Sequence, residues 1–179
     1  MVYVLLGNGF EEVEAITAID YLRRAKISVT TVGIGGREIT GGHGIPVLAD
    51  IEIGQMDLTD LDMIVLPGGL GGVAAISGCE QATQAIRFAW ENDKFVAAIC
   101  AAPTILARLG LLKEHTATCY PSRVAELGSA YRDADVVIDP PYLTARAAGQ
   151  AGEFALRLIE ALRGSEAAEA VAKAVCMRR

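Results

Sequence analysis

The sequence predicts a single α/β domain, and three observations predict it. Short β-branched apolar runs alternate with longer stretches of helical apolar spacing, Gly and Asp/Asn punctuate them at short intervals, and the first run is apolar at every position. A run apolar throughout is what a parallel strand covered on both faces requires. The 179 residues are enough for one domain with one core and too few for an added cofactor domain. With 52% hydrophobic residues and a mean hydropathy of +0.35, the chain can build a large buried centre.

Residues 2–6 form the first strand, ended by the turn Gly7-Asn8-Gly9. A helix follows to about residue 25: Ala15, Ala18, Ile19 and Leu22 fall at i, i+3, i+4 and i+7, Glu11 and Glu12 suit its first turn, and Arg23 and Arg24 its last. Residues 28–33 read as a second strand. The Gly-rich stretch to Gly44 separates two short extended pieces, 38–40 and 45–49, which suit an antiparallel excursion. Residues 63–66 are a buried strand stopped by Pro67-Gly68-Gly69, with Leu70-Gly71-Gly72 continuing the loop, and a helix spans about 80–92. The strand 95–99 feeds Cys100 and a helical stretch that Gly110 terminates. Residues 116–119 read as a short strand, 136–139 and 142–145 as strands pairing around Pro140-Pro141, and 151–163 as a strongly patterned helix before Gly164. A last helix spans about 165–176.

Composition excludes several classes of function. Lys and Arg number 16 against 22 Asp and Glu, for a net charge of −6, and no basic run is longer than a pair such as the final Arg178-Arg179, so no nucleic-acid partner is expected. No apolar run approaches the roughly 18–20 residues of a membrane span. The apolar start has no basic leader and turns acidic at once, so a cytoplasmic protein is expected. Cys79, Cys100, Cys119 and Cys176 form no CxxC pair and are expected to be free thiols. His43 and His115 stand apart in sequence without a spaced carboxylate or thiol, so no metal site is expected.

In an open parallel sheet the ligand crevice lies beyond the carboxyl ends of the strands, which selects the loops 7–14, 67–72, 100–103 and 119–122. Cys100 stands at a strand-to-helix elbow that lifts its side chain above the sheet, where a helix N-terminus would favour the thiolate and Ala101 and Ala102 leave it accessible. The alternative is a cysteine packed as a small hydrophobe. The glycines of IVLPGGLGG let backbone N–H groups approach a developing negative charge, although a tight turn needs the same residues; the Lys-Ser/Thr of a phosphate loop is missing. Glu11, Glu12 and Glu14 crowd the first helix, where they either pair with its dipole or send one carboxyl into the crevice to share a proton with the sulfur. Periodicity does not choose among the three.

Taken in order, GFEEVEAITAIDYLRRAKISVT, VLPGGLGG, AAICAAPTILA and TARAAGQAGEFALRLIEAL resemble the ThiJ/PfpI superfamily, in the branch of the parkinsonism-associated protein deglycase, over nearly the whole chain. The resemblance implies a flavodoxin-like α/β/α sandwich that forms homodimers. It implies Cys100 as the reactive cysteine, Glu14 as its hydrogen-bonding partner, and Gly68, Gly69 and Ala101 as oxyanion donors, with Glu11, Tyr120 and Ala148 around the substrate. Two departures stand out. Tyr120 replaces the His found before Pro in animal members, and Ala147-Ala148 replaces Gly-Pro in the later stretch. Neither His43 nor His115 matches a catalytic position, and both are expected on the surface or in supporting positions. Ala101 also stands where peptidase and glutaminase relatives carry His next to Cys, which disfavours a peptidase.

The resemblance therefore implies a cofactor-free, cysteine-dependent glyoxalase or deglycase acting on small carbonyls such as methylglyoxal and glyoxal or on their early adducts. The rival expectation is a redox-responsive stress or chaperone-like protein using the same thiol without turnover. A third is a dimeric scaffold whose site has decayed.

Overall fold

Residues 1–178 are described by a computed structural model; Arg179, half of the basic pair noted above, lies outside them. The strands are β1 (Val2–Gly7), β2 (Val29–Ile34), β3 (Glu38–Thr40), β4 (Pro46–Leu48), β5 (Ile51–Glu52), β6 (Met63–Leu66), β7 (Phe95–Ile99), β8 (Val136–Asp139) and β9 (Tyr142–Ala145). The helices are α1 (Glu12–Arg24), α2 (Leu70–Gly78), α3 (Glu80–Glu91), α4 (Pro103–Arg108), α5 (Val124–Leu127), α6 (Ala151–Arg163) and α7 (Ser165–Ala174). Seven strands form one sheet in the order β5-β2-β1-β6-β7-β9-β8, parallel except for β8, and β3 and β4 make a separate antiparallel hairpin. This is the flavodoxin-like α/β sandwich.

The pleat explains the continuous apolar runs. Val2, Val4 and Leu6 of β1, with Met63 and Val65 of β6 and Ala97 and Ile99 of β7, join the cluster that takes in Leu22 of α1, Phe154 of α6 and Val171 of α7. Tyr3, Leu5, Ile64, Leu66, Val96 and Ala98 point the other way, into a cluster with Ile76, Ile86 and Ile105 from α2, α3 and α4. The single core expected from length is thus two apolar layers divided by the sheet, and the central strands β1, β6 and β7 have no polar face.

Most expected elements lie within a residue or two of their sequence boundaries. Three differ. The 116–119 stretch is not a strand: only a single bridge, Ala117 to Tyr131, forms there, because Thr118 gives its N–H to the Thr144 hydroxyl and its own hydroxyl to Ala134 O instead of joining a ladder. Residues 70–72, read as a continuation of the glycine loop, open the helix α2 (Leu70–Gly78). Gly71 and Gly72 are retained there because a Cβ at either would lie within 2.6–2.8 Å of the backbone of residues 8–10. The two-residue edge strand β5 is too short to show in the pattern.

The architecture gathers the carboxyl ends of β1, β6 and β7 in one place. Glu11 N–H bonds to Gly68 O at 3.0 Å, and Phe10 and Gly42 are linked at 2.7 Å, so the loops after β1 and β6 and the hairpin close on each other.

Candidate active site

Cys100 follows β7 with φ +65°, a left-handed conformation that L-residues other than Gly adopt at a cost. The strain is held by three bonds: Cys100 N–H to Ala145 O at 2.9 Å, Tyr120 N–H to Cys100 O at 2.7 Å, and Ala102 N–H to Ile99 O at 3.0 Å. The elbow turns the side chain into a cavity of about 310 Å³ lined by Glu11, Gly69, Leu70, Cys100, Ala101, Tyr120, Ser122 and Arg123. A larger depression, about 360 Å³ beside α3, is lined by Ile53, Met56, Phe88 and other residues with no titratable or nucleophilic group.

Beneath the sulfur sits Glu14, 1% exposed on the inner face of α1. Its Oε2 accepts the Gly68 N–H at 2.7 Å, its Oε1 is buried with no nitrogen or oxygen partner, and the carboxyl shares a hydrogen bond with the Cys100 sulfur. Gly68 has to be glycine: a Cβ there would stand 2.5 Å from Glu14 Oε2 and 2.6 Å from Cys100 Cβ. Burial raises the Glu14 carboxyl to about 7, against the lowering effect of Gly68 N–H and Cys100.

The thiol departs from the sequence expectation. Burial, then the charge of Glu14 and the bond to it, push Cys100 up to about 12, although the Ala101 and Gly69 amides pull it down. The helix dipole invoked from sequence contributes little, because α4 begins three residues later, has six residues, and opens on a proline without an N–H. The two groups titrate as a pair. Between about pH 7 and about 12 they hold one proton and one negative charge between them. The thiolate is reached when Glu14 takes the shared proton.

The remaining candidates divide. Glu11, Gly69, Ala101 and Tyr120 line the cavity with Cys100, and the Gly69 and Ala101 amides already point at the sulfur. Gly68 does not serve as an oxyanion donor, because its N–H is spent on Glu14. Ala148 is also displaced from the expected wall: it opens a short 3-10 turn ahead of α6 and is absent from the lining. Cys119 is fully buried, with its thiol pushed up by burial to about 11. Cys79 and Cys176 are free and peripheral to the cavity.

His43, isolated in sequence, gains carboxylates by tertiary contact. Its Nδ1 lies 2.9 Å from Glu12 Oε2 and 3.7 Å from Glu11 Oε2, and the backbone N–H groups of His43 and Ile45 donate to Glu12 Oε1 at 2.8 and 3.4 Å. These atoms of Glu11, Glu12 and His43 are the one metal-sized cluster among the described residues; within it His43 Nδ1 is hydrogen-bonded to Glu12 Oε2, and Glu11 Oε2 stands beyond hydrogen-bond distance at 3.7 Å. His115 packs edge-on against Tyr142 and faces Asp139, away from the cavity. Sequence reasoning missed Leu70, Ser122 and Arg123 as lining residues. The loop holding Ser122 was among the four flagged, but a lone Arg at a loop's end carries no signal of its own.

A cysteine on a strained elbow at the carboxyl edge of a parallel sheet, hydrogen-bonded to a buried carboxyl from the first helix, places the molecule among α/β proteins that carry a strand-to-helix elbow at the mouth of a cavity. The profile of the DJ-1/PfpI family matches residues 1–161, and the chain belongs to that family. It is 40% identical over 174 residues to protein dj-1beta of Drosophila melanogaster, covering 95% of this chain and 93% of that one. The crystal structure of Drosophila melanogaster DJ-1beta superposes with a TM-score of 0.96 at 38% identity, over 99% of this chain and 98% of that one. The glutathione-independent glyoxalase DJR-1.2 of Caenorhabditis elegans is 28% identical over 172 residues, covering 94% and 91%.

Proposed function

We propose that the protein is a cofactor-independent glyoxalase that converts 2-oxoaldehydes such as methylglyoxal to 2-hydroxy acids, with Cys100 as nucleophile. The observation that carries this reading is the Cys100 sulfur hydrogen-bonded to the buried Glu14 carboxyl at the floor of an open cavity. The glyoxalase activity named for the Caenorhabditis elegans relative supports it.

Glu14 takes the proton from Cys100, and the sulfur adds to the aldehyde carbon. The carbonyl π pair moves to oxygen, where the Gly69 and Ala101 amides receive it, and Glu14 returns the proton to give a hemithioacetal. Glu14, again a carboxylate, removes the proton from that carbon; the electron pair reaches the neighbouring carbonyl as an enediol, and reprotonation at the second carbon leaves the thioester of a 2-hydroxy acid. Water attacks the thioester carbonyl, the C–S bond breaks, and the acid and the thiol are released. One water is consumed overall and no net oxidation occurs. Early adducts of an amine or thiol would enter the same path once their C–N or C–S bond breaks, the leaving group taking a proton from Glu14 and the freed aldehyde adding to Cys100.

The test is lactate formation from methylglyoxal by reduced protein. Cys100→Ala is expected to abolish it and Glu14→Gln to lower kcat by about 10²–10⁴, the usual contribution of a positioned acid–base group. Wild-type protein that forms no lactate overturns the reading. A second reading is favoured by the raised Glu14 carboxyl beneath the sulfur: a sulfinate at Cys100 would accept hydrogen bonds from its protonated form and from the Gly69 and Ala101 amides, which suits an oxidation sensor. We also propose that the protein works as a homodimer and resides in the cytoplasm. Among the described residues, no helix is long and apolar enough to cross a membrane.

A further inference from the structure

The cavity has a cation in its wall that the chemistry above does not use. Arg123 lines it together with Ser122, and the guanidinium is part of a chain of three charges. Arg123 NH1 lies 3.0 Å from Glu126 Oε1, and Glu126 Oε2 lies 2.6 Å from Arg108 NH2. One carboxylate therefore serves two guanidiniums, and the group retains a charge of +1. Both arginines hold the Glu126 carboxyl below its ordinary range, so that charge persists through neutral pH. Arg123 is only 34% exposed, which limits the screening that solvent applies to a surface charge.

The other charged residue of the lining is Glu11, on the segment that enters α1, and its Oε2 has His43 Nδ1 at 3.7 Å as a partial counter-charge. The cavity is thus polarised, acidic where α1 begins and basic where α5 begins. Cys100, Gly69 and Ala101 share this cavity with Ser122 and Arg123, so a carbonyl compound added to the sulfur would extend into a wall that carries a hydroxyl and a guanidinium.

We propose that Ser122 and Arg123 form an anion subsite of the cavity, and that the preferred substrates are 2-oxoaldehydes bearing a carboxylate at the far end rather than neutral ones. The inference rests on the glyoxalase reading for the word substrate, but the subsite itself does not. Guanidinium and carboxylate match in a two-pronged geometry, and with NH1 engaged by Glu126 the guanidinium still has further N–H donors to offer.

The test separates the two claims by using the sulfur as a probe of its surroundings. Iodoacetate and iodoacetamide alkylate the same thiol and differ in charge, so the ratio of their rates at Cys100, read by peptide mass spectrometry, cancels changes in thiol reactivity and reports the local field. Arg123→Met should lower the iodoacetate-to-iodoacetamide ratio about five- to tenfold, as expected for one partly screened charge at close range. Glu126→Gln, which removes the counter-charge and leaves Arg123 in place, should raise it. Added salt should shrink both effects. Opposite signs in two variants of one ion-pair network are not produced by general unfolding. In turnover, the ratio of kcat/KM for 4,5-dioxopentanoate to that for methylglyoxal should fall in Arg123→Met, through KM.

An alkylation ratio unmoved by either substitution overturns the subsite, even if both dicarbonyls are turned over. A ratio that moves as expected while neither dicarbonyl is consumed upholds the subsite and removes the glyoxalase reading. Wild-type turnover that favours methylglyoxal over 4,5-dioxopentanoate overturns the substrate preference.

Discussion

At the scale of the residue, the reactivity proposed for Cys100 depends on where one proton sits. Below about pH 7 Glu14 is protonated and Cys100 is a neutral thiol, so the pair carries no negative charge; above it one charge is shared and the sulfur becomes nucleophilic. Alkylation of Cys100 by iodoacetamide should therefore rise with pH around a midpoint near 7, and Glu14→Gln should move that midpoint toward the thiol's own range. The same shift has a consequence for stability. The folded carboxyl, at about 7, binds its proton more tightly than the unfolded one at 4.5. The unfolded chain releases that proton first, so native stability falls as pH rises from about 4.5 to about 7, by about 3 kcal/mol for 2.5 pH units at 1.36 kcal/mol each. Thermal melts of wild type and Glu14→Gln should converge at low pH and diverge in favour of the variant by pH 7. Parallel curves would show that Glu14 titrates normally.

Among the elements, the β3–β4 hairpin packs Ile39 into the cluster beneath α1 and is hydrogen-bonded to that helix through one side chain, Glu12. Glu12 accepts the His43 and Ile45 amides and His43 Nδ1, and Gly41 leaves room for it, since a Cβ there would fall 2.2 Å from Glu12 Oε1. Burial works to raise this carboxyl, but those bonds outweigh it and hold it at about 2. Because the folded value lies below the unfolded one, the fastening is complete above about pH 4.5 and is lost as pH falls toward 2. Glu12→Ala should cost about 2 kcal/mol, the usual worth of hydrogen bonds to a charged acceptor. Hydrogen exchange should speed up at the His43 and Ile45 amides while those of β6 stay protected. This contact also marks what the sequence could show. The strands β1, β6 and β7, the helix α6 and the elbow at Cys100 follow from local pattern, because periodicity and turn residues act over a few positions. The choice of Glu14 over Glu11 and Glu12, the pairing of His43, the raised thiol and the place of Arg123 depend on contacts from elsewhere in the chain. The helix α2 was hidden for a related reason: its glycines answer to the close approach of residues 8–10, not to helix propensity.

For the whole molecule, the open question is what covers the outer face of α1 and its hairpin. Val13 and Ile16 are 53% and 43% exposed on α1, and Ile45 and Leu48 are 54% and 65% exposed on the hairpin that Glu12 ties to it. Four large apolar side chains on two joined elements are more than scattered surface residues explain, and a second copy presenting the same patch covers them with the fewest assumptions. Such an interface would lie beside Glu11 and His43 and so would bear on one wall of the Cys100 cavity. Light scattering should give a particle of twice the 18.8 kDa chain mass, and Ile16→Lys should return it to that of one chain. Because Ile16 is already 43% exposed, the substitution should leave the monomer folded, as judged by circular dichroism. If the interface fixes the α1 wall, the monomeric variant should also alkylate at Cys100 with an altered iodoacetate-to-iodoacetamide ratio, through Glu11 rather than Arg123. A wild-type protein of 18.8 kDa at all concentrations would show that no second copy covers the patch, and a dimer that survives Ile16→Lys together with Leu48→Lys would place the interface elsewhere.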